Sequence, residues 1–406
     1  MKRVLFFSPA FPAEMPYFCR GLARVGAQVI GLGDQPVPAL PDVSRHALAD
    51  YLQVPNMFHE DGVVHAVRDY ARRVRIDQVE CLWEPGMLLA ARLREELGLP
   101  GMTVEETVPF RDKWVMKEAL DAAGIRTPRH RRASGGDEIR QAAAEVGFPL
   151  CVKPIAGAGS ADTFRVDDEG RLEEVLLLTR HVPEVSVEEW IEGEEYTFDT
   201  ICSAGEIHFH NVSWYRPRPL DQRTREWISP QTISLRDTTG DRLAPGIEMG
   251  RAVHEALGFQ TGFTHMEWFL KDDGEAVFGE IGARPPGARS VDIMNYSCDT
   301  CVFTGWAEAA VLGSFSQDVG RKYNAAVIFK RAQGQGRIRR VDGLETLQAE
   351  FGAWINHIDL LPVGAHRRNW KATLISDGFV MLRHPDLDTC LRMADRIGTD
   401  LKLYAA

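Results

Sequence analysis

Three stretches of the chain carry residue types at spacings that suit phosphate and metal chemistry. In Cys151-Val-Lys153-Pro-Ile-Ala-Gly157-Ala-Gly159-Ser160, a β-like run delivers a lysine and a small-residue loop follows. A cation can offset phosphate charge while glycines let backbone N–H groups approach the oxygens. The lysine precedes the loop, so this is not the Walker arrangement, and alone it reads equally as a strand-end lysine beside a turn. In Val187-Glu188-Glu189-Trp190-Ile191-Glu192-Gly193-Glu194-Glu195-Tyr196-Thr197, carboxylates sit in an apolar, strand-like context where burial without a partner is costly. A carboxylate there can accept from an adenine amino group or from ribose hydroxyls, and the connecting backbone can read the adenine edge. The alternative is a solvated, glutamate-rich edge strand. The third stretch pairs His265-Met-Glu267 with Glu280-Ile-Gly282-Ala-Arg284 around a turn. As a hairpin it brings Glu267 and Glu280 together as a site for a hard cation such as Mg²⁺, with Arg284 as positive charge for a transferring phosphoryl group. An ordinary hairpin with charged ends fits the same residues. The ordered combination of all three stretches is what points to nucleotide chemistry.

The elements that must hold these residues follow from hydrophobic periodicity. Residues 4–7, 27–32 and 79–83 read as short buried strands, alternating with helical spacing over 17–25, 59–74 and 87–97. Such alternation predicts a parallel sheet covered on both faces, with ligands beyond the strands' carboxyl ends, at Ser8–Pro12 and at Glu84-Pro-Gly86. Glu84 is placed there to hold a substrate ammonium group. No G-x-G-x-x-G follows the first strand, so dinucleotide binding is not indicated. Beyond Arg111 the pattern predicts helices over 112–123 and 136–146 and a strand over 148–154. Successive β runs follow from 185 to about 212, then two strands within 262–282 split by Asp272-Asp-Gly274. The last block mixes β runs at 325–329 and 372–375 with a helix over 386–397.

The chain has 406 residues and a formal net charge of −11, from 58 acidic and 47 basic residues. That field repels phosphate backbones and anionic membrane faces, arguing against nucleic acid and membrane partners while allowing a local basic pocket. No apolar run approaches the roughly 20 residues of a membrane span, and the start, MKRVLFFSPAFP, reads as a first strand rather than a secretory leader. Seven cysteines are an odd, scattered set, which argues against a disulfide framework and for a cytoplasmic location. Cys298-Asp-Thr-Cys301 lacks a second ligand pair for zinc, and His208 and His210 share a strand face without a third ligand. The arginine- and aromatic-rich stretch 214–227 reads as a loop over the active site, with Arg216 and Arg218 offered to a substrate carboxylate, or as a merely solvated loop.

Over most of its length the sequence resembles the ATP-grasp superfamily. Asp112-Lys113-Trp-Val-Met-Lys117 followed by Ala123-Gly-Ile-Arg-Thr-Pro128 is similar to the family's opening helix, which implies that Lys113 contacts ATP phosphate. The resemblance further implies Lys153 as the second nucleotide lysine and Gly157, Gly159 and Ser160 in a loop closing over the phosphates. It implies Glu188 for the adenine amino group, Glu189 and Ile191 as backbone contacts, Glu195 for ribose, Glu267 and Glu280 for Mg²⁺, and Arg284 for phosphate. The fold it implies is α/β plus α+β: a pre-grasp parallel-sheet domain over 1–108, clamp subdomains over 109–185 and 186–320, and a lid-like α+β region over 321–406. The family's metal motif usually reads Glu-x-Asn-x-Arg, whereas Gly282 stands at the asparagine position here. The Glu-Ile-Gly-Ala-Arg wording with His265 upstream resembles amino-acid ligases. This implies an ATP- and Mg²⁺-dependent carboxylate–amine ligase acting through an acyl phosphate on small-molecule substrates, with Lys153 and Arg284 as catalytic residues and His265 near substrate. A homodimer is among the assemblies the family implies. A biotin-carboxylase-like or purine-pathway enzyme, and a nucleotide-binding regulator without turnover, are the rival readings.

Overall fold

Apolar runs separated by amphipathic helices give the first hundred residues a four-stranded parallel sheet. In the computed structural model, which describes residues 1–157 and 161–406, its order is Leu48–Gln53, Gln28–Gly33, Arg3–Phe7, Gln78–Glu80. Phe6 and Phe7 are both fully buried, as expected of a strand covered on two faces. Helices Met15–Arg24, Glu60–Ala71 and Met87–Leu97 supply that cover.

A second, antiparallel sheet runs His130–Ala133, Val185–Glu189, Leu150–Pro154, Phe164–Val166. Its strands alternate strictly. Leu150, Val152, Val185 and Val187 face helices Gly135–Val146 and Glu169–Thr179 in one apolar cluster. The opposite face carries Lys153, Ser186 and Glu188.

The third sheet is large and antiparallel, in the order Ala276–Gly282, Gly262–Leu270, Glu194–Ser203, Ser213–Arg216, Gln231–Ser234, Asn324–Phe329, Gly378–His384, Ile355–Leu360. One face packs Tyr196, Phe198 and Trp268 under helix Ala244–Ala256. The approach is so close that a Cβ on Gly250 would lie 2.3 Å from the Phe198 ring. The other face carries Glu195, Thr197, Asp199, His265 and Glu267.

Two differences from the sequence reading concern the C-terminal block. Residues 321–406 begin within the large sheet. Asn324–Phe329 pairs with Gln231–Ser234, so the large sheet runs across the expected boundary at 320, and only a three-stranded sheet (Gln333–Gly334, Ile338–Asp342, Lys402–Ala405) stands off it. The β run expected at 372–375 is a turn region. There Asn369 Oδ1 accepts from the Lys371 N–H and Thr373 Oγ1 from the Ile375 N–H, local bonds that compete with a strand ladder. The expected subdomain limit at 185/186 falls at the start of strand Val185–Glu189, which belongs wholly to the smaller sheet.

Candidate functional site

The site is built where the polar faces of the two antiparallel sheets meet helix Lys113–Ala122. Asp112 caps that helix, its carboxylate accepting from the N–H groups of Trp114 and Val115. The buried stripe is Lys113, Met116, Lys117 and Leu120, the i, i+3, i+4, i+7 spacing of a core-facing helix with lysine at two of its four places. Both ammonium groups therefore point into the protein.

They meet carboxylates from the two sheets. Lys117 Nζ donates to Glu188 Oε1 at 2.8 Å, and Ser186 Oγ donates to the same oxygen at 2.7 Å. Lys153 Nζ lies 3.0 Å from Glu188 Oε2 and 3.8 Å from Glu280 Oε2, and Lys113 Nζ lies 3.3 Å from Glu280 Oε2. Lys113 Nζ also donates to the Gly157 carbonyl at 2.9 Å. Gly159 and Ser160 lie outside the described residues.

The electrostatics follow from this packing. Burial alone would raise the pKa of Glu280, yet the surrounding lysines, led by Lys113, hold it down at about 2. Glu188 is likewise held well below the carboxylate range, because Lys117 and Lys153 overcome its burial. Burial pulls Lys117 down to about 8, while the two carboxylates push Lys153 up despite its own burial.

The hairpin pairs Glu267 directly with Glu280. A register shift follows at Glu267/Trp268, where Gly279 takes the extra place; a Cβ there would lie 2.7 Å from the Glu267 carbonyl oxygen. Glu267 has neutral and imidazole neighbours rather than lysines. Tyr215 Oη donates to it at 3.2 Å and His265 Nε2 lies 3.4 Å away. His265 Nδ1 lies 2.6 Å from Asp199, which also accepts from Thr197 and Asn211. Burial would lower the His265 pKa, but hydrogen bonds to Asp199 and Glu267 raise it to about 9. Two opposed carboxylates with oxygen donors alone fit a hard cation such as Mg²⁺. Gly282 offers no side-chain ligand beside them.

Several residues sit differently from expectation. The Glu84 carboxylate is not free for an ammonium group: one oxygen takes Arg284 Nε at 2.9 Å and Nη2 at 2.8 Å, and the other pairs with Arg111. Arg284 thus contacts a carboxylate of the first domain. Arg216 is not brought to the cluster. Strand alternation turns Tyr215 toward Glu267 and Arg216 to the other side, where it meets Gln231 at 2.9 Å and Asp395 at 3.2 Å. Arg218 stays close, 3.3 Å from Glu195 Oε2 and over the rings of Trp190 and Phe269, and it donates to the Ile191 carbonyl at 2.8 Å. It thereby covers the backbone edge expected to read adenine. Glu189 turns its side chain away to Arg126 at 3.1 Å. Burial and the charge of Glu267 raise Glu195 to about 8 against the pull of Arg218. Lys117 and Arg111 were not singled out from the sequence. Lys117 was findable, since it occupies a core position of the helical stripe; Arg111 had no local signal. Cys298 and Cys301 are free thiols.

Comparison with known proteins agrees with this architecture. Residues 23–101 match the ATP-grasp N-terminal domain family and residues 110–214 the ATP-grasp domain family. The crystal structure of an L-amino acid ligase from Bacillus licheniformis superposes with a TM-score of 0.80 at 21% identity, covering 100% of this chain and 99% of that one. The chain has the ATP-grasp fold. Among curated proteins it is 27% identical over 218 residues to an L-arginine-specific L-amino acid ligase of Bacillus subtilis, covering 52% of each chain. It is 29% identical over 180 residues to a D-alanine–D-alanine ligase of Xanthomonas axonopodis, covering 41% of this chain and 48% of that protein. The chain spans about half the length of the curated relatives it matches. No helix among the described residues is long and apolar enough to cross a membrane.

Proposed function

We propose that the protein joins a carboxylate, an amino acid, to an amine at the expense of ATP, with Mg²⁺ as the metal and an acyl phosphate as the intermediate. The observation that carries this reading is the convergence of Lys113, Lys117 and Lys153 with Glu188, Glu267 and Glu280 between two sheets. The printed names of the relatives, amino-acid and D-alanine ligases, favour the same chemistry.

The proposed roles follow from position. Lys113 and Lys153 turn from Glu280 to the phosphate oxygens when nucleotide enters, and Arg218 leaves the Trp190 and Phe269 rings to admit the base. Glu195 receives the ribose hydroxyls. Glu267 and Glu280 would hold Mg²⁺, which would offset the charge of the phosphates. Arg284 and Arg111, clustered on Glu84, offer guanidinium groups to the substrate carboxylate. That carboxylate attacks the γ-phosphorus, ADP leaves, the amine adds to the acyl carbon, and phosphate departs. Positioning and charge stabilisation suffice, so no serine or cysteine nucleophile is required. Asp199 and His265 keep the Glu267 carboxylate oriented.

The test is release of ADP and phosphate across a matrix of amino-acid pairs, with bicarbonate as a separate arm. Stimulation by particular pairs, with the amide product seen by mass spectrometry, supports ligation. Stimulation by bicarbonate alone favours a carboxylase-type reaction, and ATP binding without turnover under any condition favours a regulator.

A further inference from the structure

The outer side of helix Lys113–Ala122 meets the start of strand His130–Ala133, away from the clamp. Glu118 and Asp121, one turn apart on the helix, are exposed, whereas His130 is 4% exposed and lies edge-on to Trp114 with ring centroids 5.0 Å apart. His130 Nδ1 is 3.0 Å from the Pro128 carbonyl oxygen. A carbonyl can only accept, so Nδ1 carries a hydrogen and Nε2 is the ring's remaining coordinating atom. That Nε2 is buried, makes no hydrogen bond, and lies 3.5 Å from Glu118 Oε1. Asp121 is held in the same way: its Oδ1 accepts from Thr127 Oγ1 at 2.5 Å, and its Oδ2 lies 3.9 Å from His130 Nδ1. One ligand atom from each of the three residues lies within 4.8 Å of the others.

A buried, unpartnered imidazole nitrogen thus sits beside the Glu118 carboxylate, with the Asp121 carboxylate against the same ring. Each of the two inner ligands also has a partner fixing its orientation, as ligating histidines and carboxylates in metal sites do. We propose that Glu118, Asp121 and His130 bind a divalent transition ion of the Zn²⁺ class. The mixed nitrogen and carboxylate donor set favours such an ion over Mg²⁺ or Ca²⁺, which prefer oxygen alone. The ion clips the helix that carries Lys113 and Lys117 to a strand whose His130 pairs with Glu188, and so fixes two of the clamp's lysines from behind.

The experiment uses the metal-stripped full chain without nucleotide, so its outcome is independent of the ligase reading. Zn²⁺ binding is measured by equilibrium dialysis with elemental analysis, alongside the thermal midpoint, for wild type and for the Glu118→Gln/Asp121→Asn double variant. Both substituted side chains are exposed, and an unchanged metal-free midpoint shows that the variant folds. Free thiols and other histidines contribute the same background to both proteins. The expected result is one more equivalent of Zn²⁺ on wild type, affinity weaker by about 10–100-fold in the variant, and a metal-induced rise in midpoint that the variant lacks. Equal binding by the two proteins, or none by wild type, overturns the proposal and leaves His130 as a packing residue between helix and strand.

Discussion

Glu267 and Glu280 stand opposite one another across the hairpin, yet only Glu280 is neutralised by lysines. Glu267 faces Tyr215 and His265 and raises the pKa of buried Glu195. The two conservative substitutions should therefore differ in their cost without ligand. Glu280→Gln leaves two ammonium groups undercompensated and is expected to lower stability by about 1–3 kcal/mol. Glu267→Gln relieves Glu195 of a like-charge neighbour while weakening the pairing of His265, opposing effects that should leave stability within about 1 kcal/mol of wild type. Urea denaturation reads both, and a larger loss for Glu267→Gln than for Glu280→Gln contradicts the charge assignment. Under the proposed function each variant also loses about 10²-fold or more in ATP turnover.

Glu195 gives the nucleotide-free protein a pH dependence whose sign can be worked out. Its carboxyl is raised from 4.5 to about 8, first by burial and then by Glu267. The native state thus holds a proton that the unfolded chain releases. This contribution is fully present below about 4.5 and is lost as pH rises through about 8. Within that window stability falls by up to about 1.36 kcal/mol per pH unit. Glu195→Gln should flatten the curve of thermal midpoint against pH. Parallel curves for variant and wild type would mean that the carboxyl is ionised throughout, held by Arg218.

Lys117 is fully buried, with its ammonium on Glu188. Lys117→Met keeps the packing volume but leaves Glu188 with Lys153 and Ser186 alone. Breaking a buried pair from one side costs about 3–5 kcal/mol, and the remaining lysine should hold the loss near the lower end. Denaturant titration measures it. Glu188→Gln in the Lys117→Met background should restore part of the loss, a coupling that separates the charge effect from a packing defect.

Local periodicity made much of this architecture legible: the helix over 87–97 and the two strands split by Asp272-Asp-Gly274 lie where spacing puts them. The strand Leu48–Gln53 was missed because it is a half-exposed edge strand with no clean alternation. What spacing cannot reveal is which distant charges meet. Glu84 read as a free carboxylate because Arg284 is 200 residues away in sequence. Arg218 read as a substrate contact, whereas its guanidinium lies on Trp190 and Phe269. Lys113 and Lys153 stood in recognisable motifs, but the pairing of Lys117 emerges only when the helical stripe is set against the strand carrying Glu188.

Gly282 occupies the place where the metal motif of the superfamily that the sequence resembles carries asparagine. Its backbone needs no glycine there, because it is absent from the positive-φ positions. A Cβ on Gly282 would lie 3.4 Å from the nearest atom, Arg284 Cγ, an ordinary contact with a flexible side chain. Gly282→Asn should therefore fold with stability within about 0.5 kcal/mol of wild type. It adds an amide oxygen beside Glu280, and a hard cation gains affinity with each well-placed oxygen donor. The concentration of Mg²⁺ giving half-maximal ATP turnover should then fall several-fold, with the KM for the carboxylate substrate unchanged. An unaltered Mg²⁺ dependence in a stably folded variant would show that position 282 does not face the ion, and that the two glutamates together with the nucleotide's own phosphates hold all the metal that turnover requires.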